Sequence, residues 1–369
     1  MTIEDIFLWA WELATVSLVV YHLYFHLRLP FHRGRRGTHK EPVSVVICAR
    51  NEAENLRENL SSVLTQEHDN YEVIVVDDAS SDHTPQVLET FARQYPHLRI
   101  LRIEQDDPRA SLPGKKAALG LGIASAANDI ILLTDADCHP LTSSWVSLMS
   151  SHFDMEKIVL GYSPFQRSGH LAGWLSSWDN LETAVQYFGF ALAGLPYMGV
   201  GRNLAYRRSL YRKNRPLGHE AGLASGDDDL QVGAMAEPGH TCIEVHPDSR
   251  TRSNPPADLA SWWSQKRRHL STAIYYQQPV KFLLGYYGFS KLLFYLLMPW
   301  VLFGNVSQWM IYLLIARFGL AMLSLIGNAA RLRKWRTIWL FPLWELITTI
   351  LIATIHLANL IKPKKEAWN

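Results

Sequence analysis

Cysteine is scarce in this chain. Cys48, Cys138 and Cys242 lie far apart with no C-x-x-C pair, which argues against a disulfide framework and a cysteine zinc site. A charge excess is missing too. With 36 Lys+Arg against 34 Asp+Glu the net charge is +2, so the basic surface of a nucleic-acid binder is not expected. The 15 histidines form no H-E-x-x-H or comparable spacing. Cys138-His139 reads as one residue lining a site and one on its loop, not as a zinc pair. There is no internal repeat and no low-complexity tract. At 48% hydrophobic and 19% charged, the 369 residues are far from a disordered composition. What the chain does have is strong segregation along its length.

Ile6 to Leu27 form a mostly apolar run broken by Glu12, His22 and His26. As a helix it would be on the order of 33 Å long, close to a bilayer core. Glu4 and Asp5 precede it where a signal peptide would be basic, and no small-residue cleavage site follows, so a permanent anchor is expected. Arg28, Arg33, Arg35, Arg36 and Lys40 follow and place the middle of the chain in the cytoplasm. Three more apolar runs, Phe282–Phe303, Trp309–Ile326 and Ile338–Ile361, hold single charges at Lys291, Arg317 and Glu345. These charges are expected to snorkel toward the surface, as such residues near helix ends do. If the first two runs form a hairpin, the last emerges outside, where Lys362, Lys364 and Lys365 break the positive-inside rule. Either one C-terminal run does not cross fully or the rule fails here.

Between residues 42 and 250, short apolar runs alternate with helical stretches, the pattern of βαβ units and a mostly parallel sheet. Strands are expected at Val43–Ala49, Tyr71–Val76, Leu98–Ile103, Ile130–Thr134, Gly199–Tyr206 and Thr241–Val245. Asn51 is expected to cap a helix from Glu52 to about Thr65, Pro85 to lie in the first turn of another, and Lys115–Ala126 to be a third.

Open α/β sheets bind ligands at the carboxyl ends of their strands. Two expected strands end in acid there: Val76 into Asp77-Asp78, and Thr134 into Asp135-Ala136-Asp137. Residues two apart on extended chain share a face, so Asp135 and Asp137 can address one ligand. Two carboxylates that close repel unless a cation lies between them. A hard divalent ion fits such a pair and completes its shell with phosphate oxygens, so a metal-bound diphosphate is the natural guest. Asp227-Asp228-Asp229 suits a helix N-terminus, or supplies a base that takes a proton from an attacking hydroxyl. In Trp262-Trp263-Ser264-Gln265-Lys266-Arg267-Arg268-His269, arginine can grip phosphate while the tryptophans suit a membrane surface.

Taken together, VSVVICARNEAENLRENLSSVL, YEVIVVDDASSDHT, PGKKAAL, DAD, GRNLAY, the acidic triplet and QKRRH resemble membrane-bound, inverting family 2 glycosyltransferases. The resemblance runs from about Pro42 to His269 and implies an α/β, GT-A (Rossmann-like) domain flanked by transmembrane helices. It divides the chain into an anchor (1–30), a basic linker (31–41), a GT-A domain (42–255), an interfacial helix (256–280) and about three C-terminal membrane helices (281–369). It implies that Ala49, Asn51, Glu52, Asp77, Asp78, Lys115, Asp135, Gln265 and Arg268 hold a nucleotide-sugar donor. Asp137 with Asp135 would bind Mg²⁺ or Mn²⁺, and Gly201, Arg202, Asn203 and His269 would line the acceptor pocket. Asp228 is the expected base, with Asp227 and Asp229 as alternatives of register. His269 stands where polymerising members have tryptophan, which weakens the case for a processive polysaccharide synthase. A non-catalytic nucleotide-sugar-binding protein is the other alternative. The donor favoured by resemblance is a UDP-sugar, the acceptor a lipid or glycan, and the location the cell inner membrane.

Overall fold

The computed structural model describes residues 2–34, 41–107, 115–154, 157–213, 226, 228–237, 239–304 and 307–361. Asp227, Pro113-Gly114 and the basic residues Arg35, Arg36, Lys40, Lys362, Lys364 and Lys365 lie outside these. The chain opens with α1 (Ile3–Tyr21), a π-helical turn at His22–His26, and α2 (Arg28–Phe31). A βα alternation follows: β1 (Val43–Ala49), α3 (Ala53–Leu64), β2 (Tyr71–Asp78), α4 (Thr84–Gln94), β3 (Leu98–Ile103), α5 (Lys116–Ser125) and β4 (Ile130–Leu133). Next come β5 (His139–Pro140), α6 (Trp145–Ser150), β6 (Ile158–Gly161), α7 (Leu171–Leu192), β7 (Leu204–Arg207), α8 (Arg208–Lys213), α9 (Asp229–Met235), β8 (Thr241–Glu244) and β9 (Thr251–Arg252). The chain closes with α10 (Leu259–Ser271), α11 (Gln278–Phe303), α12 (Gln308–Leu332) and α13 (Phe341–Ile361).

The seven-stranded sheet has the order β3-β2-β1-β4-β7-β6-β8. β3, β2, β1 and β4 are mutually parallel, β7 is antiparallel to both its neighbours, and β6 and β8 are parallel. The β-branched run of β1 is buried on both faces, as a central parallel strand requires. Its alternation splits the core in two. Val46, with Ile74 and Val76, faces α5 and the membrane helices, whereas Val45 and Ile47 face α3, α4 and α6. Gly122 lets α5 approach the sheet: a Cβ there would stand 2.6 Å from Val46 Cγ1.

Four helical stretches, Ile3–Phe31, Gln278–Phe303, Gln308–Leu332 and Phe341–Ile361, are long and apolar enough to cross a membrane. They do not form a separate body. Trp11 stacks on Phe294 at 5.6 Å, Tyr21 on Tyr287 at 3.9 Å, and Phe25 on Phe190 of α7 at 4.3 Å. One continuous core joins the first three to the sheet, while the last packs through two smaller clusters, Ile355 with Leu175 and Trp262, and Phe341 with Trp178 and Ala321.

Several expectations need correction. Lys291, Arg317 and Glu345 do not snorkel. All three are buried; Arg317 Nη2 donates to both Glu345 oxygens at 2.7 Å, and Lys291 pairs with Glu182 of α7. The low dielectric makes an unpaired charge so costly that each finds its counter-charge instead. Asn51 is not a helix cap. It adopts φ 57°, which asparagine tolerates, and its Oδ1 accepts from Ser81 N at 2.9 Å. The first donors of α3 go instead to the β2–α4 loop, Glu52 N to Thr84 Oγ1 at 2.8 Å and Ala53 N to Asp82 Oδ2 at 3.2 Å. The strand expected at Gly199–Tyr206 begins only at Leu204. α7, α6 and β6 were not foreseen.

Candidate active site

Because β2, β1 and β4 are adjacent and parallel, their carboxyl ends open on one edge of the sheet. Ala49 is fully buried at the end of β1. Glu52, just beyond it, has its carboxyl pushed up by burial, against a hydrogen bond from Asn55 and helped by the charges of Asp137, Asp135 and Asp82. Asp78 is 2% exposed; Arg50 Nη1 lies 3.8 Å from its Oδ2, while its buried Oδ1 has no partner among the described residues. Burial first, and Asp77 beside it, raise this carboxyl despite Arg50. Asp77 accepts from Ser80 N at 3.2 Å and meets Arg102 Nε at 3.3 Å. With Ala79, Ser80, Arg102, Glu104 and Asp106 it lines a cavity of about 340 Å³.

Past β4 the chain turns so that the ligating atoms of Asp135, Asp137 and Cys138 lie within 4.8 Å of one another. Cys138 Sγ donates to Asp137 Oδ1 at 3.2 Å. Lys115, at the start of α5, donates to Asp135 Oδ1 at 2.8 Å. Burial would raise Asp135, but Lys115, then Arg202 and Arg268, outweigh it and hold the carboxyl low. Asp137 is raised, by burial and then by the charge of Asp135. One ionised and one frustrated carboxyl side by side are what a divalent cation relieves, and oxygen donors suit Mg²⁺ or Mn²⁺.

Gly201 connects this pair to Asp228. Gly201 N donates to Asp228 Oδ2 at 3.0 Å, and a Cβ at Gly201 would stand 3.2 Å from Lys115 Nζ and 3.6 Å from Asp228 Oδ2. The turn that ends at Leu204 thus passes its bare backbone between the lysine of the acidic pair and the half-buried Asp228. Asp228 also caps α9, its Oδ1 accepting from Asp229 N at 2.8 Å. α10 carries Gln265, Arg268 and His269, with Arg268 near enough for its charge to act on Asp135 and His269 near enough to feel Arg202 and Lys115. Arg202 donates to Ser253 Oγ at 2.7 Å and stacks over Phe165 at 4.5 Å. His269 is exposed on α10, and its imidazole is held below its usual value by the surrounding protein, then by the charges of Arg268, Lys266, Arg202 and Lys115.

Two expected residues take other roles. Asn203 does not line a pocket: it is fully buried, donates to Tyr162 O and Ser249 O, and accepts from Trp145 Nε1 at 2.9 Å. Its amide satisfies buried backbone groups that an apolar residue would leave unpaired. Asp229 is 5% exposed; its Oδ2 accepts from Thr272 and from Tyr276 OH at 2.8 Å, and its Oδ1 from Leu230 N. That carboxylate fastens α9 to the end of α10 and is no candidate base. Arg50, Arg102, Thr272 and Tyr276 escaped sequence reasoning, and only Arg50, directly after β1, had a positional signal.

Residues 44–215 match the family described as glycosyl transferase family 2. The probable glycosyltransferase YdaM of Bacillus subtilis (strain 168) is 27% identical over 245 residues, 61% of this chain and 54% of that protein. The beta-monoglucosyldiacylglycerol synthase of Trichormus variabilis is 30% identical over 118 residues, 31% of this chain and 24% of that protein. The chain thus spans about half the length of the first relative and less of the second. A mannosyltransferase structure from Pyrobaculum calidifontis, in complex with GDP-Man and Mn²⁺, has the same fold. Its TM-score is 0.60 at 19% identity, covering 90% of this chain and 99% of that one.

Proposed function

Residues 44–215 form a family 2 glycosyltransferase domain on a GT-A fold, and from that premise we propose that the chain is an integral-membrane, inverting glycosyltransferase. It moves a sugar from a nucleotide-diphosphate donor, a UDP-sugar by resemblance, to a lipid-linked or glycan acceptor. The observation that supports this best is the convergence at Gly201, where Lys115 and Asp135 of the acidic pair meet Asp228. The fold neighbour's complex with a nucleotide sugar and Mn²⁺ agrees with it.

The donor would lie along the strand ends, its nucleoside toward Asp78 and its diphosphate toward Asp135, Asp137 and Lys115. Asp135 and Asp137 would hold a divalent cation, which when bound neutralises charge on the leaving diphosphate. Asp228 takes the acceptor hydroxyl's proton while that oxygen attacks the anomeric carbon from the face opposite the phosphate. The carbon–oxygen bond to phosphate breaks in the same displacement, inverting the anomeric centre. Lys115 and Arg268 stabilise the growing negative charge on the leaving group through preorganised hydrogen bonds and field. His269, exposed on α10 beside Arg268, is available to contact acceptor hydroxyls. The apolar helices favour a membrane-borne acceptor, and Arg28 and Arg33 after α1 favour a cytoplasmic catalytic side.

The test is a screen of labelled nucleotide sugars against membranes containing the protein, followed by lipid extraction. Label entering the lipid fraction in an Asp228-dependent manner is the expected result. Absence of transfer and of donor hydrolysis with every nucleotide sugar would overturn the reading.

A further inference from the structure

Where the α/β domain meets the membrane helices, Arg167, Arg252 and Lys334 have no carboxylate partner among the described residues. Lys334 follows the last turn of α12, and its Nζ donates to Phe165 O at 3.2 Å. The Phe165–Arg167 stretch is stitched to the chain after β9: Phe165 bridges Ser253, and Gln166 N donates to Ser253 O at 2.7 Å. These links bring the three cations onto one wall. Burial, then the charges of Arg252, Arg250 and Arg167, pull the Lys334 ammonium down to about 8. Arg250 is already committed, donating to the carbonyls of Leu332, Val245 and Arg331. The other three repel one another across a half-buried site, an arrangement that an anion relieves. Beside it, Trp335, Trp339 and Leu340 are 51%, 72% and 66% exposed. Exposed tryptophans at the end of an apolar helix mark the headgroup level of a bilayer, where the available anion is a lipid phosphate.

We propose that Arg167, Arg252 and Lys334 form a binding site for the phosphate of an anionic membrane lipid. The two guanidinium groups offer planar forks to phosphate oxygens and the ammonium adds a point charge. The opposite side of the same wall faces the cleft, because Arg202 stacks over Phe165 and bonds Ser253. The lipid therefore anchors the segment that supports Arg202, and the site stands or falls independently of sugar transfer.

The experiment is native mass spectrometry of the full chain in detergent micelles, titrated with phosphatidic acid, with phosphatidylcholine, or with inorganic phosphate as competitor. Phosphatidic acid is expected to bind at least about tenfold more tightly than phosphatidylcholine, and matched inorganic phosphate is expected not to displace it. The double variant R252Q/K334Q should weaken phosphatidic acid about 25-fold, at roughly fivefold per cation removed. Equal affinity for the two lipids, displacement by inorganic phosphate, or an unchanged double variant would each overturn the proposal. Should the double variant fail to fold, R167Q, altered at an exposed side chain, carries the same test with an expected loss of about fivefold. An unchanged R167Q would overturn it equally.

Discussion

At the scale of single residues, charge decides most of what this site can do. Asp137 is lifted by burial and by Asp135, so a cation beside it would favour its ionised form. Asp137→Ala is therefore expected to abolish the dependence of nucleotide-diphosphate binding on Mg²⁺ or Mn²⁺, checked by calorimetric titration with and without metal. Binding that stays metal-dependent would move the cation elsewhere. A second carboxylate acts on stability. Glu244 is buried, receives His246 N at 2.5 Å and lies 2.8 Å from His152 Nε2. Burial would raise it, but His152 and the His246 amide hold it below the usual carboxylate range. A depressed folded-state pKa stabilises above the unfolded value and is lost as pH falls through the folded one. Glu244→Gln should cost about 1–3 kcal/mol near neutral pH, with the gap in melting temperature closing below the ordinary carboxylate range. A gap that persists undiminished at acid pH would refute this.

Among the elements, α13 bears on the charge asymmetry in the sequence. Its start follows the turn in which Lys334 is bonded to Phe165, and its end is clasped by α10, with Arg267 donating to Asn359 Oδ1 at 2.7 Å and to Ala358 O. A helix tied at both ends in this way is expected to lie along the interface although it is long enough to cross. A reporter fused at the C-terminus should thus report the same side as one inserted in the α/β domain, and labelling from the opposite face would contradict it. The β1, β2 and β4 strands were legible because buried parallel strands read as unbroken apolar runs with acid or Asn just beyond their ends, whereas β3, LRILRI, is only partly buried and was legible by its short apolar pattern. α7 was not, since LAGWLSSWDNLETAVQYFGFAL packs between sheet and membrane helices and shows no single apolar face. Within the site, the acidic clusters were legible as chemistry. The split between Asp228 at the cleft and Asp229 on Thr272 and Tyr276 was not, because neighbours in sequence differ only in which tertiary partner they meet. For the same reason GRNLAY could not reveal that Gly201 faces the cleft while Asn203 turns into the core.

As a whole molecule, the chain behaves as one body in which catalytic sheet and membrane helices share a core and buried ion pairs. Breaking one pair should be felt globally. Arg317→Met leaves Glu345 charged and buried, an expected loss of about 3–5 kcal/mol, whereas R317M/E345M should recover most of it. Thermal unfolding of the two variants in the same detergent separates these outcomes, and equal destabilisation would contradict them. The same rigidity holds α9, α10 and the strand ends around one cleft, so a base and a donor site can be separated by mutation without dismantling either. The most direct measurement is donor affinity and turnover of Asp228→Asn in one preparation. Donor affinity within about twofold of wild type, with turnover lowered about 10²- to 10⁴-fold, is the predicted result. Near-wild-type turnover, or loss of donor binding together with turnover, would contradict the assignment of Asp228 as the base beside a metal–diphosphate site.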